Sequence, residues 1–290
     1  MMVRFGVFLL WLLHFLPYRL QAWIGNILGT LLYLFSARRR RVASINLRLC
    51  FPELNEAQRS QLVRKNFNVF GRSIVERGIL WWCSRERIQQ LIQVEGVEHF
   101  QNALGNPLIL LTAHFAALDV GGSWITQHAD GVSVYSKQKN IYMQNLVLQK
   151  RARFGKQYLY ARQAGMRPVV KSLRECRPFY YFTDQDWTTK DGVFVPFFGI
   201  PAATLATLPR LVSMANARVV PCITRILPDY KGYEVRFYPA WENYPTHDLV
   251  ADTRRINEFI EQRVREMPEQ YFWLHRRFKT RPEGEESFYK

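Results

Sequence analysis

The chain has 290 residues, 48% of them hydrophobic and 14% aromatic, and a formal net charge of +16 from 40 Lys and Arg against 24 Asp and Glu. That much apolar sequence excludes a disordered chain and suffices for one large domain or two small ones. The charge calls for an anionic partner, which leaves nucleic acid, anionic lipid and an acidic protein or substrate open. Cys50, Cys83, Cys176 and Cys222 are scattered with no CxxC, which fits reduced thiols rather than a disulfide or zinc framework.

Residues 5–16, FGVFLLWLLHFL, are apolar apart from His14, and residues 21–37, QAWIGNILGTLLYLFSA, carry no charge. Each block is shorter than the ~20 residues a spanning helix needs. Broken at Pro17, the two together suit a tilted span or a helical hairpin lying in one leaflet. Arg38 to Arg41 follow them. That flank is on the wrong side for a cleaved signal peptide and reads as cytoplasmic under the positive-inside rule. Trp11, Tyr18, Trp23 and Tyr33 supply interfacial aromatics. The competing reading is a buried amphipathic helix pair in an ordinary soluble protein. The expected division is a membrane-anchoring hydrophobic segment over 1–41 and a catalytic unit over 42–290.

Residues 56–82 read as a helix with a polar face around Arg59, Arg64, Lys65 and Arg72. Strands are expected at 108–113, 132–136, 178–183, 218–224 and 233–241, and helices at 141–153, 166–176, 203–216 and 250–266. This alternation predicts an α/β fold with a mainly parallel central sheet flanked by helices. Such sheets bind ligands at the carboxyl ends of their strands, where His114 and Asp184 fall.

In LILLTAHFAALDVGG, residues 108–122, an apolar strand runs into His114, and Asp119 follows five positions later. With a helix starting near Phe115, Asp119 can approach His114, accept from one ring nitrogen and stabilise the imidazolium formed at the other. No GxSxG elbow occurs and no cysteine sits in a nucleophile motif, so such a base would activate a hydroxyl of the substrate itself. A hydrogen-bonded structural histidine is the competing reading. There is no HExxH, and the remaining histidines show no ligand spacing, so no metal site is expected.

HFAALD matches the HxxxxD/E signature of the glycerolipid-type acyltransferases. TDQDWTTKDGVFVPFFGIPAATLA and PEQYFWLHRRFKTRPEGEESFY resemble the late acyltransferases of lipid A biosynthesis, the lauroyl and myristoyl transferases of Gram-negative bacteria. The likeness extends nearly end to end, through RRRRVASINLRLCFPEL. It implies transfer of a lauroyl or myristoyl chain from acyl carrier protein to a hydroxyl on a 3-hydroxyacyl chain of a Kdo-lipid A precursor. It further implies His114 as general base with Asp119 orienting it, at the cytoplasmic face of the bacterial inner membrane, with no cofactor. Acidic carrier protein, phosphorylated glycolipid and membrane lipid would all be drawn by the positive charge. An acyl chain gains ~0.8 kcal/mol per buried CH₂, so an apolar tunnel is expected too.

Four further groups are singled out. Arg151 and Arg153 match a Gly-Arg-x-Arg pattern in which Lys150 replaces the glycine, and either can bind phosphate or an oxyanion. In VYSKQKN, Ser136 replaces an arginine of the family, leaving Lys137 or Lys139 to supply charge. Asp184 and Asp186 form a DxD that, alone, would suggest a metal-dependent glycosyltransferase. In the resembling family the motif belongs to the active site without metal, orienting Arg151, Arg153 or the acceptor, and loop-pinning is the structural alternative. Arg276, Arg277, Lys279 and Arg281 lie beside Phe272, Trp273 and Phe278, suggesting an interfacial surface or headgroup site. A non-catalytic basic membrane-binding protein stands as a third reading. Nucleic acid is not expected, since no helix-turn-helix, RRM or zinc-finger signature occurs.

Overall fold

A computed structural model describes residues 1–187 and 192–290. Two apolar helices, α1 (Met2–Leu13) and α2 (Tyr18–Phe35), flank the break at Pro17, and α3 (Ala37–Cys50) turns from α2 by 93°. No single helix among the described residues is long and apolar enough to cross a membrane. The long α4 (Glu56–Trp82) starts at a capping box: the Asn55 side chain accepts from the Gln58 amide at 2.9 Å, and Gln58 accepts from the Asn55 amide at 2.8 Å.

Helix α2 lies directly along α4 because glycines face each other there. A Cβ on Gly71 would stand 2.3 Å from both the Gly25 oxygen and the Gly29 nitrogen. Only a residue without a side chain allows that approach. The boundary drawn at residue 41 falls inside α3, and the N-terminal helices are built into the rest of the chain. Arg72, read as part of a polar face, is buried instead. It pairs with Glu76 at 2.7 Å and donates to the Tyr18 hydroxyl at 2.8 Å, while the Tyr233 hydroxyl donates to Glu76 at 2.7 Å. A buried charge needs such partners.

The remaining elements run α5 (Arg85–Gln89), β1 (Ile92–Glu95), α6 (Val97–Gln101), β2 (Leu108–Thr112), α7 (Leu118–His128), β3 (Gly131–Tyr135), α8 (Ile141–Arg151), β4 (Gln157–Ala161), α9 (Arg167–Arg174), β5 (Phe179–Phe182), β6 (Gly192–Phe197), β7 (Ile200–Leu205), α10 (Thr207–Ala215), β8 (Arg218–Ile226), β9 (Tyr233–Phe237) and α11 (Leu249–Glu266). Seven strands form one sheet in the order β1-β9-β8-β2-β5-β3-β4, parallel except for the β8–β9 pair. The expected α/β fold with a mainly parallel sheet flanked by helices is therefore present.

β2 occupies the centre, which explains its unbroken apolar sequence: every residue from Leu108 to Thr112 is buried. Ile109 and Leu111 belong to the core on one face of the sheet, Leu108 and Leu110 to the core on the other, as the two-residue strand period requires. The helix expected from residue 203 starts only at Thr207, because 192–205 form an antiparallel hairpin. Its turn residues Phe198 and Gly199 both have positive φ, 52° and 76°, as a two-residue β-hairpin demands. Periodicity alone did not expose this hairpin, nor the edge strands β1 and β4.

Candidate active site

His114 and Asp184 each stand two residues beyond the carboxyl end of a strand, β2 and β5. Those strands pair in parallel with Thr112 opposite Phe182, so the register alone brings positions 114 and 184 side by side. The contact is bidentate. The Asp184 carboxylate accepts from the His114 ring Nδ1 at 2.7 Å and from the His114 backbone amide at 2.9 Å. Asp184 is only 2% exposed and the His114 side chain 25%. Burial pushes the Asp184 carboxyl up, but the adjoining imidazole and amide more than offset this and hold it at about 2. An ionised carboxylate on Nδ1 fixes that nitrogen as the proton carrier and leaves Nε2 to act as a base.

The expected His114–Asp119 hydrogen bond is not formed, and this corrects the sequence reading. Helix α7 begins at Leu118 rather than near Phe115, and Asp119 lies in its first turn. There it pairs with Arg77 of α4 at 3.0 Å and with Arg151 at 3.3 Å. Burial raises the Asp119 carboxyl, and the two guanidiniums outweigh burial and leave it below the ordinary carboxylate range. Arg77 went unnoticed in the sequence, where it is one arginine in the stretch VERGILWW. Only its position across from Asp119 marks it.

Two spaces meet here. A cavity of about 190 Å³ is lined by Trp81, Leu118, Asp119, Arg151, Phe154 and Phe182, among others. A trough of about 360 Å³, walled by Leu32, Phe67, Phe70, Phe272 and Leu274, has His114 on its side. Arg77 and Leu118 line both. The Phe182 ring, 4.8 Å from the imidazole centre to centre, stands beside His114 and lines the cavity.

The other expected ligands separate. Arg151 lines the cavity. Arg153 does not: it donates to the carbonyls of Leu80 and Cys83 at 2.9 and 2.6 Å, closing the carboxyl end of α4. Lys137 is exposed on the loop after β3 and is not in the cavity wall, although Gln138 is. Asp186 accepts from the Thr280 amide at 2.8 Å and hydroxyl at 3.0 Å, the loop-pinning role. Its own amide donates to Nε2 of His275 at 3.1 Å, and burial lowers the His275 pKa, which keeps that nitrogen an acceptor. Neither aspartate touches Arg151 or Arg153, and residues 188–191 of the same motif lie outside the described residues. Among the described residues no three His, Cys, Asp or Glu side chains converge as metal ligands.

The C-terminal motif is likewise less superficial than its charges implied. Trp273, Arg277 and Phe278 are fully buried. Arg277 donates to the Ala203 carbonyl at 2.8 Å and the Thr204 hydroxyl at 2.7 Å of the hairpin. Asn46 of α3 donates to the carbonyls of Trp273 and His275 at 2.7 and 2.8 Å, and Asn66 of α4 to those of Glu269 and Tyr271 at 2.8 and 2.7 Å. The motif is thus a strap that ties the N-terminal helices to the loop carrying Asp184 and Asp186. Its Phe272 and Leu274 wall the trough.

Residues 1–280 match the family described as bacterial lipid A biosynthesis acyltransferase. The chain belongs to that family. It is 34% identical over 287 residues to the lipid A biosynthesis lauroyltransferase of Escherichia coli K12, covering 98% of this chain and 93% of that one. It is 30% identical to the palmitoleoyltransferase of the same strain with the same coverage, and 32% identical to its myristoyltransferase, covering 88% and 79%. The 1-acyl-sn-glycerophosphate acyltransferase structure from Thermotoga maritima aligns over 83% of this chain and 97% of that one at 14% identity, with a TM-score of 0.39. The chain is accordingly an O-acyltransferase of lipid A biosynthesis, and its HFAALD motif carries the histidine at the sheet's centre.

Proposed function

We propose that this acyltransferase moves a fatty acyl chain from acyl carrier protein to a hydroxyl on a 3-hydroxyacyl chain of a Kdo-lipid A precursor, with His114 as base and Asp184 as its orienting carboxylate. The observation that carries this is the ionised, buried Asp184 on Nδ1 of a histidine whose ring borders an apolar trough. The acceptor chain lies in the trough with its hydroxyl at Nε2. Nε2 takes the hydroxyl proton as the oxygen bonds to the thioester carbonyl carbon. Collapse of the tetrahedral adduct breaks the carbon–sulfur bond, and the imidazolium returns the proton to the departing thiolate. Asp184 stabilises the imidazolium in between, a general-base contribution of ~10²–10⁴-fold. The donor chain occupies the neighbouring cavity. Arg77, which lines both spaces, and Arg151 supply positive charge for the oxyanion, and Asp119 holds the two guanidiniums together.

The same reading seats the N-terminus on a lipid surface. Phe5 and Phe8 of α1, Phe15 of the turn that follows, and Trp23, Leu34 and Phe35 of α2 are exposed, and large apolar side chains exposed along one segment mark a membrane or partner surface. The basic turn of α3 follows directly, suited to anionic headgroups on the cytoplasmic side. Two greasy substrates can then enter without crossing water.

The deciding assay uses the full chain in neutral detergent, acyl carrier protein charged with isotopically labelled lauroyl or myristoyl groups, and a Kdo-lipid A precursor, with product read by mass spectrometry. The expected product is heavier by one acyl group and fragments as an acyloxyacyl ester, with and without EDTA. Loss of all transfer in EDTA would favour the metal-dependent alternative, and absence of transfer from any charged carrier protein would overturn the donor assignment.

A further inference from the structure

The four-arginine run at 38–41 and the charges after Trp273 are separated by more than 200 residues of sequence, yet they close on one depression of about 300 Å³, lined by Arg38, Arg39, His275, Arg276 and Lys279. No carboxylate among the described residues forms an ion pair with any of these four cations. Arg72, Arg153 and Arg277, by contrast, are engaged in holding the fold. Here four cations converge with no carboxylate ion-paired to them; Asp186, whose amide meets His275, spends its carboxylate on Thr280.

Two more features of the depression select an anion. Helix α3 opens at Ala37 with no side-chain cap and no acid in its first turn, where Arg38 and Arg39 stand instead. The positive end of a helix favours acids, so helix stability does not account for the two arginines there. His275 accepts the Asp186 amide on Nε2, so its ring proton resides on Nδ1 and remains a donor.

The depression also adjoins the trough at His114. Arg39 lines both, and its guanidinium donates to the carbonyl of Leu274 at 2.9 Å, at the boundary between them. Consecutive residues divide the work: Phe272 and Leu274 wall the trough, while His275 and Arg276 wall the depression. A molecule lying across the two would place an apolar chain beside the imidazole and an anionic group among the cations.

We infer that the depression is the subsite for a phosphate of the lipid acceptor's headgroup, and that it sets which way the acceptor lies over His114. This rests on the proposal that the trough holds the acceptor. Guanidinium forks match the phosphate oxygens, and a phosphate brings the multiple charge that four cations can satisfy. The enzyme therefore prefers a phosphorylated acceptor over the same glycolipid stripped of phosphate.

The test compares Arg276→Ala, Lys279→Ala and the double variant with the unaltered enzyme in neutral-detergent micelles, on the phosphorylated acceptor and on its dephosphorylated form. The unaltered enzyme is expected to prefer the phosphorylated form in kcat/KM, and the preference should fall about tenfold per cation removed, through KM. Lys231→Ala, an equal loss of charge at an exposed turn before β9, should keep the full preference. Binding of each acceptor, followed by native mass spectrometry of the same micelles, gives the ratio without turnover, so failure of the transfer reaction and failure of the subsite are separate results. An unaltered enzyme that treats both acceptors alike overturns the inference. So does a double variant whose loss is equal on both. A loss that appears only when anionic phospholipid is added to the micelles would assign the cations to the bulk membrane surface instead.

Discussion

Asp184→Asn is the sharpest probe of the site, because it changes one charge and almost no volume. The asparagine carbonyl can still accept from the His114 backbone amide, which the carboxylate meets at 2.9 Å. Its amide group then faces Nδ1, which the carboxylate meets at 2.7 Å, and it can only donate there. The ring proton is driven to Nε2, and the base is lost. In a Ser-His-Asp triad the same exchange costs about 10⁴ in kcat. The His114–Asp184 pair differs in being reinforced by the backbone contact, which the asparagine retains. The expected loss is therefore about 10³–10⁴-fold, or about 4–5.5 kcal/mol of barrier. Asp119→Asn leaves the imidazole and its partner intact but frees Arg77 and Arg151 from the carboxylate that holds them for the oxyanion, so it should lower kcat by a smaller factor than Asp184→Asn. The assay is acyl transfer under saturating donor, with circular dichroism to verify folding. The acid limb of kcat/KM should follow a single ionisation, since Asp184 stays charged down to a pH of about 2. An Asp184→Asn enzyme within about threefold of wild type, with Asp119→Asn as damaging as His114→Ala, would refute the assignment and restore Asp119 as the orienting acid.

The depressed pKa of Asp184 also predicts an acid-stability difference. The unfolded carboxyl takes its proton near ~3.9 and the folded one near about 2, so the unfolded state binds more protons between them. The stabilisation is full above the higher value, is lost as pH falls through the lower, and amounts to about 2–3 kcal/mol; urea midpoints across that window should fall less steeply in Asp184→Asn. Arg153→Ala removes two charge-assisted bonds to the end of α4 and should cost about 1–3 kcal/mol in a denaturation curve while kcat is kept. A selective loss of substrate affinity would return Arg153 to the binding site. Gly71→Leu must force α2 from α4, since even a Cβ there meets backbone at 2.3 Å; a thermal melt in detergent should show a loss of about 1–3 kcal/mol or more. A melt unchanged by that substitution would mean the helices do not touch at Gly25 and Gly29.

Local sequence determined a good deal of this protein. The buried run 108–112, the strands at 131–135, 179–182 and 218–226 and the helices at 56–82, 141–151 and 249–266 follow from periodicity, because burial on two sheet faces or one helix face is written into consecutive residues. The strand-end positions of His114 and Asp184 follow as well. What periodicity cannot hold is which carboxylate meets the histidine. Asp119 is five residues away and Asp184 seventy, yet parallel pairing of β2 with β5 makes the distant residue the neighbour. The same non-local closure buried Arg72 and Arg277, tied Arg153 to the end of α4, and left Arg38, Arg39, Arg276 and Lys279 together with no carboxylate paired to them. Charge and hydropathy are properties of single residues, whereas the compensation of a charge is a property of its neighbours, and only the folded sheet and its C-terminal strap decide who those are.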